Sequence, residues 1–280
     1  MKTIKSYALL AIILMMCSCE KFTSESGKTS EEKENTNVAL NLTKGELVKT
    51  VCKKAIFSFF KDDQKIGTVS QTTDDTDFGA IHLSLSPGTY RIVAIGHNGS
   101  GNCTITSPEK ITFTNNKLTD TFYHYGTIEV KKDENTSESI TLKRAVAMFR
   151  LNIKDEIPAN AKSIQFYYTG GSSTFNAVSG YGCVNSKQTE TLDITSGQQV
   201  YEVYTFPHED GKKLQMTISI LNESGITIAS RTFSDVIVKK NYITKYSGKL
   251  FVDNPDGETT DIDIEFEFDP EWAGEDEYEF

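Results

Sequence analysis

Two thiols stand close together near the start of this 280-residue chain, in Leu14-Met15-Met16-Cys17-Ser18-Cys19. They close a short apolar run, where a bacterial lipoprotein would be cut and acylated. Lys2 and Lys5 supply a positive beginning, and Ala8 to Met16 is an uncharged apolar stretch of nine residues. Nine residues are too few to span a bilayer of ~30 Å, so the segment reads as a secretory signal and not as a membrane helix. The small Ser18 precedes Cys19, whereas bulky Met16 precedes Cys17. Cys19 is therefore the expected lipid-carrying residue, with palmitate among its acyl groups, and Cys17 is the second choice. Each buried acyl CH₂ contributes ~0.8 kcal/mol, so several chains hold a protein at a membrane durably where one does not.

Other reactive side chains are sparse. Cys52, Cys103 and Cys183 are an odd set and cannot all pair within one chain. In an oxidising compartment a Cys52–Cys103 disulfide is one reading, and three free thiols is the other. Neither these cysteines nor His82, His97, His124 and His208 follow a zinc or nucleophile spacing. Gly96-His97-Asn98-Gly99-Ser100-Gly101 lacks the Gly-Lys-Ser/Thr ending of a phosphate loop and reads as a long hairpin loop. The oxygens of Asp253-Asn254-Pro255-Asp256-Gly257-Glu258 do not have calcium-loop spacing, and Asp-Gly is an ordinary turn signal. No catalytic residue, metal site or cofactor is expected, and the chain is not read as an enzyme.

Charge is unevenly distributed. The net charge is −10, but residues 253–280 hold 13 of the 39 acidic side chains and no Lys or Arg. The remainder carries 26 acidic against 29 basic side chains, a net +3. No basic patch with interleaved aromatics is present, which argues against a nucleic-acid partner.

The elements that must carry these residues are strands. Glu20 to Asn37 is polar and reads as a flexible tether, ~25 Å long as a coil and ~60 Å when stretched. From Val38 onward apolar residues alternate with polar ones, as in Val38-Leu40-Leu42, Ile81-Leu83-Leu85 and Ile164-Phe166-Tyr168. Pro87-Gly88 predicts a hairpin turn, and Asn222 to Gly225 a second turn. Glu46 to Lys54 is the best helical candidate. The long apolar run Ile140 to Ile153 is read as the last strand of one domain entering the first of the next. The expected organisation is a signal (1–18), a lipidated tether (19–37), two antiparallel β-sandwiches (38–144 and 145–268) and an acidic tail (269–280). The fold class is all-β.

Four segments, taken together, resemble a known family. They are the signal ending Ser18-Cys19-Glu20-Lys21, the stretch Leu85-Ser86-Pro87-Gly88-Thr89-Tyr90 through Ala94, the stretch Leu142-Lys143-Arg144-Ala145-Val146-Ala147 through Leu151 with Ile157-Pro158, and Lys240-Asn241-Tyr242-Ile243 through Phe251. Their order and spacing are similar to the FimB-type (Mfa-like) fimbrial anchor and minor-subunit lipoproteins of Bacteroidales. That resemblance implies transthyretin-like sandwiches, an outer-membrane location facing the cell exterior, and fimbrial subunit proteins as partners, bound by strand addition. In polymerising relatives an arginine-directed protease removes the first strand. The arginines here are Arg91, Arg144, Arg150 and Arg231, and none lies in the tether or first strand. An anchor that keeps its lipid is the expected role. The alternative is a surface glycan-binding or adhesin lipoprotein of the same architecture, with Tyr123, Tyr125, Tyr167, Tyr168 and Tyr181 as a stacking platform. Trp272 is the only tryptophan and lies in the tail.

Overall fold

Val38-Ala39-Leu40-Asn41-Leu42 alternates in the way a half-buried strand requires, and Val38, Leu40 and Leu42 are all buried. This is β1 (Val38–Leu42) of a computed structural model that describes residues 37–42, 45–251 and 263–265. The chain continues through α1 (Gly45–Val51), β2 (Lys54–Lys61), β3 (Gln64–Thr72), β4 (Ala80–Leu83), β5 (Gly88–His97), β6 (Cys103–Ser107), β7 (Lys110–Phe113), β8 (Thr121–Val130) and β9 (Thr136–Ile140). It then passes through β10 (Lys143–Arg144), β11 (Ala147–Ile153), β12 (Ala161–Thr169), β13 (Thr174–Asn176), β14 (Tyr181–Gly182) and β15 (Lys187–Asp193). The last strands are β16 (Val200–Thr205), β17 (Leu214–Asn222), β18 (Thr227–Val236), β19 (Ile243–Gly248) and β20 (Asp263–Glu265). The chain is all-β, with helix confined to α1 and a single 3₁₀ turn at Thr114–Asn116 among the described residues.

The sheets follow one plan twice. In the first half β4-β1-β9 faces β10-β8-β5-β2-β3. In the second half β16-β11-β19-β20 faces β15-β12-β17-β18. The first strand of each half, β1 or β11, has an antiparallel neighbour on one side and a parallel neighbour on the other. The sheets are antiparallel, as expected, except at the parallel pairs β1–β9 and β11–β19. Each parallel partner arrives only after the intervening strands have crossed to the facing sheet and returned.

Sequence pattern explains the layering. Ala55 to Phe60 is continuously buried because β2 is flanked by β5 and β3 and covered on both faces. Ala55, Phe57 and Phe59 join the first-half core with Leu40, Ile92 and Ile128. Ile56 and Phe60 point the other way, into a core shared with the second half. Phe149, Phe166, Tyr168, Tyr201 and Ile218 build the second-half core.

The shared core is the joint. Hairpin β6–β7 is inserted in the first half and β13–β14 in the second, and β7 pairs with β13 through Thr112↔Thr174 and Ile111↔Phe175. The four strands form one sheet, β14-β13-β7-β6, built from both halves. Phe175 packs against Phe206 at 4.9 Å and Tyr123 at 4.8 Å beneath it.

One expectation about strand connections is overturned. Pro87-Gly88 does not close a hairpin: β4 pairs with β1 whereas β5 pairs with β2 and β8, so the turn carries the chain from one sheet to the other. A tight hairpin joins β2 to β3, where Asp62 and Asp63 both take positive φ (48° and 62°), as a type I′ turn demands. The run Ile140 to Ile153 is discontinuous. It is divided among β9, β10 and β11, which belong to three different sheets. The break lets Ala145 and Val146 sink into the shared core between them.

Candidate functional site

Asn37 is the first described residue, and its side-chain amide both donates and accepts. Its Nδ2 donates to the Leu85 carbonyl at 2.7 Å, its Oδ1 accepts from the Leu85 N–H at 2.9 Å, and its own carbonyl accepts from the Thr136 N–H at 2.8 Å. From there β1 runs between β4, with Val38↔Leu83 and Leu40↔Ile81, and β9, with Val38↔Thr136 and Leu42↔Ile140. A pull applied at Asn37 along the strand loads both ladders in shear, so their hydrogen bonds resist together. Alternation marks β1 in the sequence but not this clamp. The signal was an Asn immediately before an alternating run, a residue able to donate and accept at once.

A second tie joins the halves. The Arg144 guanidinium grips Asp120 with two bonds, Nε to Oδ1 at 2.7 Å and Nη2 to Oδ2 at 2.9 Å. It also donates through Nη1 to Asn241 Oδ1 at 3.1 Å and lies 4.8 Å over the Phe122 ring. Such a two-pronged pair fixes orientation as well as distance. Lys240 adds a cation over the Tyr181 ring at 4.2 Å and donates to the Gly180 carbonyl at 3.1 Å.

The sequence-selected residues are dispersed. Cys17 and Cys19, the 253–258 loop and Trp272 lie outside the described residues. The Cys52–Cys103 bridge is not formed, and Cys52, Cys103 and Cys183 are free thiols. Cys52 belongs to the first-half core and Cys103 packs on the shared core, against opposite faces of the sheet holding β2 and β5. Burial pushes the Cys52 and Cys103 thiols up to about 12 and also raises Cys183. Cys52 and Cys103 are packing thiols, Cys183 is an exposed one, and burial disfavours the thiolate of each.

The histidines are equally separate. His82 is exposed on β4. His124 is half-buried on β8 with Nδ1 3.3 Å from the Thr141 carbonyl, and burial lowers its pKa. His208 Nε2 is buried without a hydrogen-bond partner among the described residues. His97 ends β5 at 1% exposure, and its Nδ1 accepts from the Gly99 N–H at 3.1 Å. The five tyrosines make no common platform. Tyr168 is core, Tyr167 lies on the outer face of β12, and Tyr123 and Tyr181 flank Lys240. Among the described residues no group of three or more His, Cys, Asp or Glu is placed to hold a metal ion, and no helix is long and apolar enough to cross a membrane. What this geometry does is grip, at Asn37 and at the joint between halves.

Residues 101–280, more than half of the chain, match the model of a family of unknown function, DUF6562. The chain belongs to DUF6562. No curated protein matches this DUF6562 chain. Among solved structures, a protein described as a candidate adhesin from Bacteroides ovatus is similar at 13% identity and a TM-score of 0.49, over 75% of this chain and 87% of that one. The fimbrial anchor protein Mfa2 from Porphyromonas gingivalis is similar at 12% identity and a TM-score of 0.44, over 78% of this chain and 92% of that one. The tip fimbrial protein Mfa3 from the same organism is similar at 9% identity and a TM-score of 0.43, over 82% and 97%. At such identities and scores the likeness carries no argument about function.

Proposed function

We propose that this DUF6562 chain is an outer-membrane surface lipoprotein that anchors a fimbrium. Acyl groups on Cys19 hold it, residues 19–37 lift its body from the membrane, and a neighbouring fimbrial subunit binds it by strand addition. The body is read as two transthyretin-like sandwiches, 38–144 and 145–268, and residues 269–280 as an acidic tail.

The observation that carries the reading is the placement of β1. A tether that ended at a sheet edge would peel away one bond at a time. Here it ends at a strand flanked on both sides, with Leu40 fully buried and Asn37 clamped to Leu85 and Thr136. No arginine precedes Arg91, so an arginine-directed protease has no site at which to separate lipid from body.

The test is a pair of single substitutions in cells that assemble the fimbrium. Cys19→Ala should move the protein into the soluble fraction and shed fimbriae, while Cys17→Ala leaves both in place. A Cys19→Ala protein that stays with the membrane would sink the proposal. Fimbriae of unchanged length and attachment after deletion of the whole gene would do the same.

A further inference from the structure

Three lysines at the joint form no ion pair among the described residues. Lys143 lies on β10, opposite Tyr123 of β8, and Lys239 and Lys240 lie in the turn that leads into β19. Lys143 and Lys239 are exposed. Lys240 is half-buried, its ammonium 4.2 Å from the Tyr181 ring centre and 5.9 Å from that of Tyr123. Burial and the nearby charge of Lys143 lower the Lys240 pKa, and Glu209 opposes them. Like charges held together in a partly dry setting repel, so an anion brought between them relieves both. The patch draws Lys143 and Tyr123 from the first half and Tyr181, Lys239 and Lys240 from the second.

The chain carries a matching anion. Residues 253–280 hold 13 acidic side chains and no basic one, whereas the remainder is net +3. Strand β20 gives this segment a direction. It runs antiparallel to β19 through Ser247↔Asp263, Tyr246↔Ile264 and Lys245↔Glu265. Each residue beyond Glu265 in that register is one step further back along β19, toward Ile243 and the turn that holds Lys239 and Lys240. Kept to the end, the register would set Pro270 opposite Lys240. Proline has no N–H to give a ladder, so pairing would stop there. The six acidic side chains of residues 269–280 would then arrive at the lysines, together with Trp272.

We propose that residues 269–280 dock on the Lys143–Lys239–Lys240 patch of their own chain and latch its two halves together. The carboxylates neutralise the lysines, and Trp272 offers them a further aromatic face. Because both halves build the patch, docking adds to the tie made by Arg144, Asp120 and Asn241. The inference rests on the patch and on the register of β20, and is independent of the anchoring reading.

Trp272 is the only tryptophan, so its fluorescence reports this segment alone. In the full chain in nonionic detergent, acrylamide should quench it poorly at ~0.1 M salt and readily at ~1 M, as the screening length falls from ~10 to ~3 Å. Lys143→Glu and Lys239→Glu, both at exposed positions, should each lower the ratio of docked to free segment by ~2- to 5-fold, the scale of an exposed ion pair. Combined, they should make Trp272 readily quenched at ~0.1 M salt. Adding Glu271→Lys and Glu275→Lys to that double variant should restore the protection. Lys131→Glu, beyond the far end of β8, should change nothing. The proposal is overturned if Trp272 of the unaltered chain is already quenched freely at ~0.1 M salt, or if the double variant shields it equally well. It is also overturned if protection fades on dilution in step with a dimer dissociating in sedimentation, because the segment then docks on a second copy.

Discussion

His97 shows how far surroundings override a residue's ordinary chemistry. Burial, with Lys54 nearby, lowers its pKa to about 4, so the ring is neutral wherever an ordinary histidine has begun to charge. The folded pKa lies below the unfolded one, so the unfolded chain takes up a proton that the folded chain refuses. Stability from this group is complete above ~6.5 and is lost as pH falls from there toward about 4. Glu190 acts in the opposite sense, because burial raises its pKa. Comparison with His97→Asn, which keeps an acceptor for the Gly99 N–H, isolates the histidine. Between pH 7.5 and 5 the unaltered chain should lose about 1–2 kcal/mol more unfolding free energy in urea than the variant. Equal losses would show that the ring titrates freely. Little of this was legible beforehand. Gly96 to Gly101 reads as a hairpin loop, but Gly96 and His97 end β5, and the loop beyond them leads to β6, which pairs with β7 and not with β5. Strands β15 and β16, which face that loop across a cleft of about 440 Å³, lie some 90 residues or more further along, where no local spacing signals them.

β1 carries the same lesson at the level of an element. Its alternation was visible at once, as it was for β8, β12, β16 and β17, because each sets one apolar face on a core. Strand β3 escaped notice because Gln64 to Thr72 is mostly polar and exposed, and β13–β15 because they are short or carry mainly polar side chains. Pro87-Gly88 was recognised as a turn but assigned the wrong partners, since a turn fixes direction and not the sheet entered next. The two faces of β1 should respond very differently to substitution. Leu40→Ala removes a fully buried side chain and should cost ~2–5 kcal/mol in urea unfolding. Asn41→Ala changes an exposed neighbour and should stay within ~0.5 kcal/mol. Similar costs at both positions would mean that β1 is not the inner strand described here.

At the scale of the whole molecule, duplication of one strand order explains the form, and the inserted hairpins explain why the copies act as a unit. The sheet shared by β7 and β13 hydrogen-bonds one half to the other, and the core below it draws Ile56 and Val93 from the first half and Phe175, Phe206 and Ile243 from the second. Arg144 ties the joint again through Asp120 and Asn241. A load entering at Asn37 therefore crosses to the second half through packed side chains and not through a linker. Phe175→Ala would open a cavity where its ring meets Tyr123 and Phe206. The expected cost is ~3–5 kcal/mol, most of it at the joint. Hydrogen exchange in rising urea reads the consequence directly. In the unaltered chain the amides of β5 and β8 should lose protection together with those of β12 and β17, as one cooperative unit. In Phe175→Ala the two sets should separate. If they still open together, the shared core is not what couples the halves, and the Arg144–Asp120–Asn241 tie becomes the next contact to remove.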